Sequence, residues 1–254
     1  MNLRAAPEVT LITGASSGIG YYLAQQLAAQ GDAVAVLARR GAELEALVQD
    51  IRDQGGRAMA VVADVTDRSA LAQAVAEVVA EFGPVTRLVA NAGGGRPTHV
   101  ASYDAAEIEN TIRLNLIGVA NAIGAVLPMM REAGRGHLVA MGSLAAVRGV
   151  PTGAAYSAAK SGVANFMESL AIDLIDTGID VTLLEPGFVA KPGKPPRWPR
   201  MPMDVATQRM TRAIVARRVR WRGPASLTVA AALLRLLPYR VYGRLLAGRG
   251  RPAD

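Results

Sequence analysis

Short runs of uninterrupted apolar residues alternate along the chain with longer stretches in which polar side chains return every three or four positions. VTLIT (9–13), AVAVLA (33–38), AMAVVADV (58–65), RLVANAG (87–93), HLVAMGS (137–143) and DVTLLEPG (180–187) have strand length and no polar alternation, which predicts strands covered on both faces. Between them, 18–30, 41–54, 67–82, 102–131 and 153–177 have helical length. Strand–helix–strand repetition with right-handed crossovers predicts an α/β fold: one domain built on a doubly wound parallel sheet flanked by helices on both faces. Ligands of such sheets collect beyond the carboxyl ends of the strands, so the residues at which the apolar runs stop are the ones to examine.

After residue 190 the pattern changes. KPGKPPRWPRMPM (191–203) is too rich in proline for regular structure, 203–219 predicts one amphipathic helix, and the rest predicts two short apolar helical pieces split at Pro238. The domain therefore divides into a core over 1–190 and a C-terminal segment over 191–254.

TGASSGIG (13–20) follows the first strand and opens a helix. Gly14, Gly18 and Gly20 allow a tight turn and a close approach to a pyrophosphate, whose charge the helix N-terminus favours. The second strand then ends in Ala38-Arg39-Arg40, with no carboxylate until Glu43. An acid in this place would receive the adenosine ribose hydroxyls, whereas a guanidinium forks two hydrogen bonds onto a phosphate. Arg39, helped by Arg40, is accordingly read as holding the 2′-phosphate of NADP(H). Two solvated arginines at a helix start are the alternative.

YSAAK (156–160) carries an unusual choice of cation. Of the 28 Lys and Arg residues only Lys160, Lys191 and Lys194 are lysines. Tyr156 and Lys160 are four apart and share a helix face. A phenol with a pKa near 10 is a poor acid–base group at neutral pH, and a nearby cation is expected to lower that pKa. Arginine could supply the charge but could not release a proton. An amphipathic helix with a snorkelling lysine is the plainer reading.

Taken together, these motifs resemble the short-chain dehydrogenases/reductases, from about residue 7 to 190 and more weakly to about 220. TGxxxGxG, Asp64, the NAG of 91–93, Asn115 in NLIGV, Ser143, YSAAK and Pro186-Gly187 stand in family order. The resemblance implies a Rossmann-type core and an NADP(H)-dependent oxidoreductase acting on a carbonyl or secondary alcohol. It implies that Tyr156 exchanges the proton and Ser143 orients the substrate oxygen. Lys160 would bind the nicotinamide ribose, and Asn115 would support a water beside the lysine, against the alternative of an asparagine satisfied by backbone. Cofactor contacts would fall on Gly14, Ser16, Ser17, Gly18, Ile19 and Gly20, on Arg39 and Arg40, and on Asn91, Ala92 and Gly93. Asp64 and Val65 would flank the adenine, although Asp64 could equally cap the next helix. Pro186, Gly187 and Val189 would run beside the nicotinamide. Lys191 stands where the family usually has threonine, and 191–203 matches the position of a substrate flap. A homo-oligomer, dimer or tetramer, is also implied. A fold kept for nucleotide sensing or as a scaffold, without turnover, is the competing class, and the Ser143–Tyr156–Lys160 set argues against it.

Composition narrows the partners. Cysteine is absent and only His99 and His137 are histidines, so thiolate and His-based metal sites are disfavoured; His137 is expected to have no chemical role. The N-terminus reads as a first strand rather than a signal peptide, and a cytoplasmic protein is expected. Charge is lopsided: residues 1–190 hold 13 basic and 19 acidic side chains, and 191–254 hold 15 and 2. A basic, apolar tail with Trp198, Trp221, Tyr239 and Tyr242 could pack over the pocket or a partner subunit, or lie on an anionic membrane surface. Nucleic acid is disfavoured, because no recognised binding motif accompanies the charge. The apolar surroundings suggest a hydrophobic ketone (a 3-oxoacyl, steroid-like or other lipid substrate).

Overall fold

The structure is a computed structural model that describes residues 7–190 and 200–248. Its centre is a seven-stranded parallel sheet: β1 (Val9–Thr13), β2 (Ala33–Ala38), β3 (Arg57–Val62), β4 (Arg87–Ala90), β5 (Gly136–Met141), β6 (Ile179–Pro186) and β7 (Arg220–Gly223). Their order is β3-β2-β1-β4-β5-β6-β7. The order reverses between β1 and β4, which pair through Thr10–Arg87, Leu11–Leu88 and Ile12–Val89. Beyond their carboxyl ends lies the switch point at which a doubly wound sheet leaves a crevice. Every residue of β2 and β5 is buried, which is why neither run alternates.

Helices α1 (Gly18–Ala29), α2 (Gly41–Asp53) and α7 (Met203–Val215) cover one face. Leu23, Leu27, Leu44, Leu47, Met210 and Ile214 meet Val34, Val36 and Val139 there. The other face carries α3 (Arg68–Phe82), α5 (Gly118–Glu132) and α6 (Ala154–Asp173), whose Leu71, Val75, Val119, Val126, Val163 and Met167 pack on Leu11, Leu37, Leu88 and Leu138. At about 25 cal/mol per Å², each such leucine or valine contributes about 1.5–3 kcal/mol of burial.

Three predicted elements change. The helix expected over 102–131 is divided into a 3₁₀ turn at Val100–Ser102, α4 (Ala105–Ile112), a π turn at Arg113–Ile117 and α5. In the π turn the Gly118 amide donates to the Arg113 carbonyl. The helix expected over 203–219 stops at Val215, where Arg217 takes φ +49 and spends its guanidinium on Gly136, Asp180 and Glu8. The sheet then gains β7, so it does not end at residue 190. Arg220 and Arg222 both reach the buried carboxylate of Glu185 at 2.7 Å, while Trp221 packs on the opposite face. The alternation Arg-Trp-Arg was the available signal. The last two helices, α8 (Ala225–Leu236) and α9 (Tyr239–Leu246), are split at Pro238 as the sequence predicts.

The amino-terminal edge of the sheet holds a charge cluster that the sequence reading does not anticipate. Arg87, 2% exposed, donates to Asp32 at 2.5 Å, to Glu8 at 3.2 Å and to His137 Nδ1 at 3.3 Å. Burial, together with the positive charge of Arg87, pushes His137 down to about 2. It is a neutral hydrogen-bonding group here, bonded to Thr182 at 2.8 Å, on the edge opposite the switch point.

Candidate active site

A cavity of about 520 Å³ opens beyond the carboxyl ends of the central strands. Gly14, Ser16, Ser17, Gly18, Ile19, Arg39, Arg40, Asp64, Val65, Asn91, Ala92, Gly93, Tyr156 and Lys160 line it. One concavity therefore collects most of the residues singled out along 150 positions of chain.

The glycine turn divides its labour. Gly14 (φ +68) lies so close to the fourth strand that a Cβ would sit 2.6 Å from Ala92 Cα. A Cβ on Gly20 would meet Asn91 Nδ2 at 2.5 Å. These two glycines let the ends of β1 and β4 close on each other, and Asn91 fastens them by donating to the carbonyls of Thr13 and Gly14 at 3.0 and 3.1 Å. Gly18 (φ +62) has open space around it and supplies the turn itself. Ser17, at the N-terminus of α1, makes no side-chain cap bond, and the first turn holds no acid. The amides of that turn are thus available to an anion, in the field of the helix dipole.

The two arginines diverge. Arg40 folds back over the turn, donating to Ser16 Oγ and Ser17 Oγ at 2.8 Å each. Arg39 stays 72% exposed and pairs loosely with Asp64 at 3.5 Å. Asp64 accepts from Thr66; the helix cap is Asp67, which accepts from Ser69 and Ala70. The donor set fits a dinucleotide, with helix-start amides on one side and guanidinium groups at the end of β2.

Ser143 is not among the residues that line the cavity; it follows β5 and caps a short 3₁₀ turn, Leu144–Ala146, its Oγ accepting from the Ala145 amide at 3.1 Å. Tyr156 and Lys160 project from the first turns of α6. The Lys160 ammonium is 5.7 Å from the centre of the Tyr156 ring and donates to the Met141 carbonyl at 2.8 Å. Lys160 is 2% exposed, and among the described residues no carboxylate pairs with it. Desolvation pushes its pKa down to about 8. Burial pushes the Tyr156 phenol up, and an interaction with the Ser143 hydroxyl pulls it part of the way back. This corrects the expectation that the lysine lowers the phenol. Loss of water around the phenolate is the larger cause, and the ammonium is engaged by a backbone carbonyl instead.

Asn115 is wholly buried in the π turn. It donates to the carbonyls of Gly94 (2.5 Å) and Thr111 (2.8 Å) and accepts from the Gly94 amide (3.1 Å). Its amide is consumed by backbone, the alternative left open from sequence. It still shapes the site, since a Cβ on Gly93 would lie 2.7 Å from Asn115 Oδ1 and 3.2 Å from Lys160 Nζ.

Pro186, Gly187 and Val189 do not line the cavity. Gly187 bonds the Gly223 carbonyl at 2.7 Å, and Val189 bridges to Met201. Lys191, Trp198 and most of the predicted flap lie outside the described residues. Of the aromatic residues assigned to an interface, Trp221 and Tyr242 turn inward while Tyr239 is exposed. Leu37, Ala38, Ala63, Gly94, Leu114 and Met141 also line the cavity. Most of them stand at or just beyond strand ends, and Leu114 precedes Asn115; those positions were the signal for them.

A parallel sheet with a glycine turn at its switch point, and a serine, tyrosine and lysine gathered beside it, defines an oxidoreductase that works with a nicotinamide cofactor. The chain belongs to the short-chain dehydrogenase family, whose profile, described as "short chain dehydrogenase", matches residues 8–199. An "uncharacterized oxidoreductase" of Myxococcus xanthus is 40% identical over 179 residues, 70% of this chain and 71% of that protein. The ketoacyl reductase HetN of a Nostoc strain is 32% identical over 186 residues, 73% of this chain and 65% of HetN. Among solved structures, a 3-ketoacyl-ACP reductase from Sinorhizobium meliloti superposes with TM-score 0.79 at 28% identity, covering 87% of this chain and 99% of that one. An alcohol dehydrogenase of the archaeon Thermococcus sibiricus, complexed with 5-hydroxy-NADP, gives 0.78 at 27% identity, covering 85% and 95%.

Proposed function

We propose that the protein is an NADPH-dependent reductase of hydrophobic ketones, also able to run the reverse oxidation of secondary alcohols. The observation that carries this reading is the union, in one cavity, of Tyr156 and Lys160 one helical turn apart with a β2 end that offers the exposed Arg39 and no acid. NADPH, when bound, supplies the hydride that reduces the carbonyl carbon. Ser143 donates a hydrogen bond to the substrate oxygen, and Tyr156 transfers its proton to that oxygen as the carbonyl π pair moves onto it. The phenol raised by burial is protonated at neutral pH, as an acid in the reductive direction must be. Lys160, its pKa pushed down to about 8, can pass on the proton that restores Tyr156. The exposed side chains of Phe188 and Val150 stand on the loops that follow β6 and the Ser143 turn and support an apolar substrate. The Nostoc and Sinorhizobium relatives, both ketoacyl reductases by name, point the same way.

The test is NADPH consumption with a panel of 3-oxoacyl, steroid and simple ketones. Tyr156→Phe should lower kcat by about 10²–10⁴, the usual contribution of a general acid, with NADPH binding retained. Equal kcat in the two proteins would refute the assignment.

One observation favours a second reading for the tail. Val229, Leu233, Leu236, Tyr239, Val241 and Leu245 of α8 and α9 are exposed, and no acid occurs between Asp204 and Asp254. That face suits an anionic bilayer. Co-sedimentation with phosphatidylserine vesicles should be lost in Leu233→Glu/Leu236→Glu; equal recovery in the supernatant with and without vesicles would exclude it.

A further inference from the structure

The segment between Ser143 and Tyr156 is held by contacts from outside itself. Ser161 donates to the Ala146 carbonyl at 2.8 Å, and the Thr98 amide donates to the Thr152 carbonyl at 2.7 Å. Its middle is held by the C-terminal helices. At the C-terminal end of α8, Arg148 Nη1 donates to the carbonyls of Leu234 (2.6 Å), which also accepts from the Leu237 amide, and of the capping residue Leu237 (2.8 Å). The same guanidinium lies 4.0 Å over the Tyr242 ring of α9. The Tyr242 hydroxyl returns to the loop, donating to the Gly149 carbonyl at 2.6 Å.

These helices contribute little to the core: α8 has no buried residue, and in α9 only Tyr242 is buried, at 7% exposure. The contacts they do make converge on the site. At the start of α8, Leu227 packs where a Cβ on Gly187 would lie 2.8 Å away, beside Leu144. The pair thus touches the chain just after Ser143, just after Pro186 and midway between Ser143 and Tyr156. Arginine suits the Arg148 position because a planar guanidinium can stack on a ring while donating in its own plane to the carbonyl end of a helix; an ammonium cannot do both.

We propose that Arg148 and Tyr242 are positioning residues of the reaction. Through them the C-terminal helix pair sets the segment that carries Ser143 and Tyr156, so that both hydroxyls address one substrate oxygen. This rests on the reductase reading above, and two measurements separate the two ideas. Tyr242→Phe keeps the ring under Arg148 and deletes only the bond to Gly149. Its kcat should fall about fivefold, the factor that one neutral hydrogen bond of about 1 kcal/mol carries, while the Kd for NADPH stays within twofold. Amide exchange over 144–152 should quicken by a similar factor, with α8 still protected. Arg148→Ala should lower kcat further, and Arg148→Lys should restore only part of it. Unchanged kcat together with unchanged exchange over 144–152 in Tyr242→Phe overturns the proposal, whatever Arg148→Ala does to folding. Faster exchange with unchanged kcat overturns it too, leaving the contact purely structural. If the wild-type protein reduces none of the ketones, the reductase reading fails, and the exchange data then stand as a separate measure of the contact.

Discussion

Both edges of the sheet bury a cation, and they treat it oppositely. At the amino edge, Arg87 is surrounded by Asp32, Glu8, Thr10 and His137. At the carboxyl edge, Lys160 is as deeply buried but bonds a single backbone carbonyl, with no carboxylate partner among the described residues. A paired buried charge recovers in Coulomb attraction part of what it loses in hydration, whereas an unpaired buried ammonium keeps its desolvation cost as a lowered pKa. Arg87 is therefore held in place by its acidic partners. Lys160, at about 8, is the cation that can exchange a proton. The amino edge holds the strands together and the carboxyl edge stores the instability that chemistry uses.

Removing the two charges should split activity from stability. In Lys160→Met, turnover should collapse by about 10³ or more, in the range of acid–base contributions, while the protein becomes harder to unfold. The gap between about 8 and the ordinary 10.5 is worth about 3 kcal/mol, and leaving the Met141 carbonyl unbonded returns about 1–2 of it. A net gain of about 1–2 kcal/mol in urea unfolding at pH 7 is expected. The pH dependence has a definite sign. Between about 8 and 10.5 the unfolded chain binds a proton at Lys160 that the folded chain has released, so stability rises with pH across that window. The penalty is complete below pH 8, and the Lys160→Met advantage should shrink as pH rises from 8 towards 10.5. An advantage constant with pH would mean that the lysine is not desolvated. Arg87→Leu should do the reverse. It strands the Asp32 carboxylate and costs about 3–5 kcal/mol in urea unfolding, while the kcat of the folded fraction stays near wild type. A fall in kcat as large as that of Lys160→Met would erase the distinction between the edges.

The carboxyl edge was legible in the sequence because its residues are constrained by backbone and chemistry. A glycine forced to positive φ, a small residue beside another strand, and a lysine where the chain otherwise writes arginine each leave a one-letter trace. Six of the seven strands were visible for the same kind of reason, as uninterrupted apolar runs. The amino edge was not legible. Arg87 opens an apolar run and looks like a strand-end charge, and nothing local reveals that Glu8, Asp32 and Arg217, from three distant places, converge with it. β7 hid similarly, since Arg220 and Arg222 lie towards solvent and are tied to the sheet by Glu185, buried on the neighbouring strand. Tyr156 misled on one point: sequence shows the neighbouring charge but not the surrounding burial that decides the direction of its pKa.

A smaller effect belongs to charges that neither edge buries. Arg39 and Arg40 sit at the rim of the cavity, in water, so their energies are screened and modest. They are also unequal. Arg40 is spent on Ser16 and Ser17 and serves the turn, whereas Arg39 has only a loose, 3.5 Å pairing with Asp64 to give up for a 2′-phosphate. Arg39→Asp should shift the ratio of kcat/KM for NADPH over NADH by about 10–100-fold towards NADH, about 1.4–2.8 kcal/mol. Raising the salt concentration should shrink the wild-type preference in parallel. Arg40→Ser should instead weaken both cofactors about equally, through the loosened turn. If Arg40→Ser inverts the preference and Arg39→Asp leaves it alone, the phosphate is held by the residue bound to the glycine turn, and the contrast between exposed and engaged arginine is the wrong guide to cofactor choice.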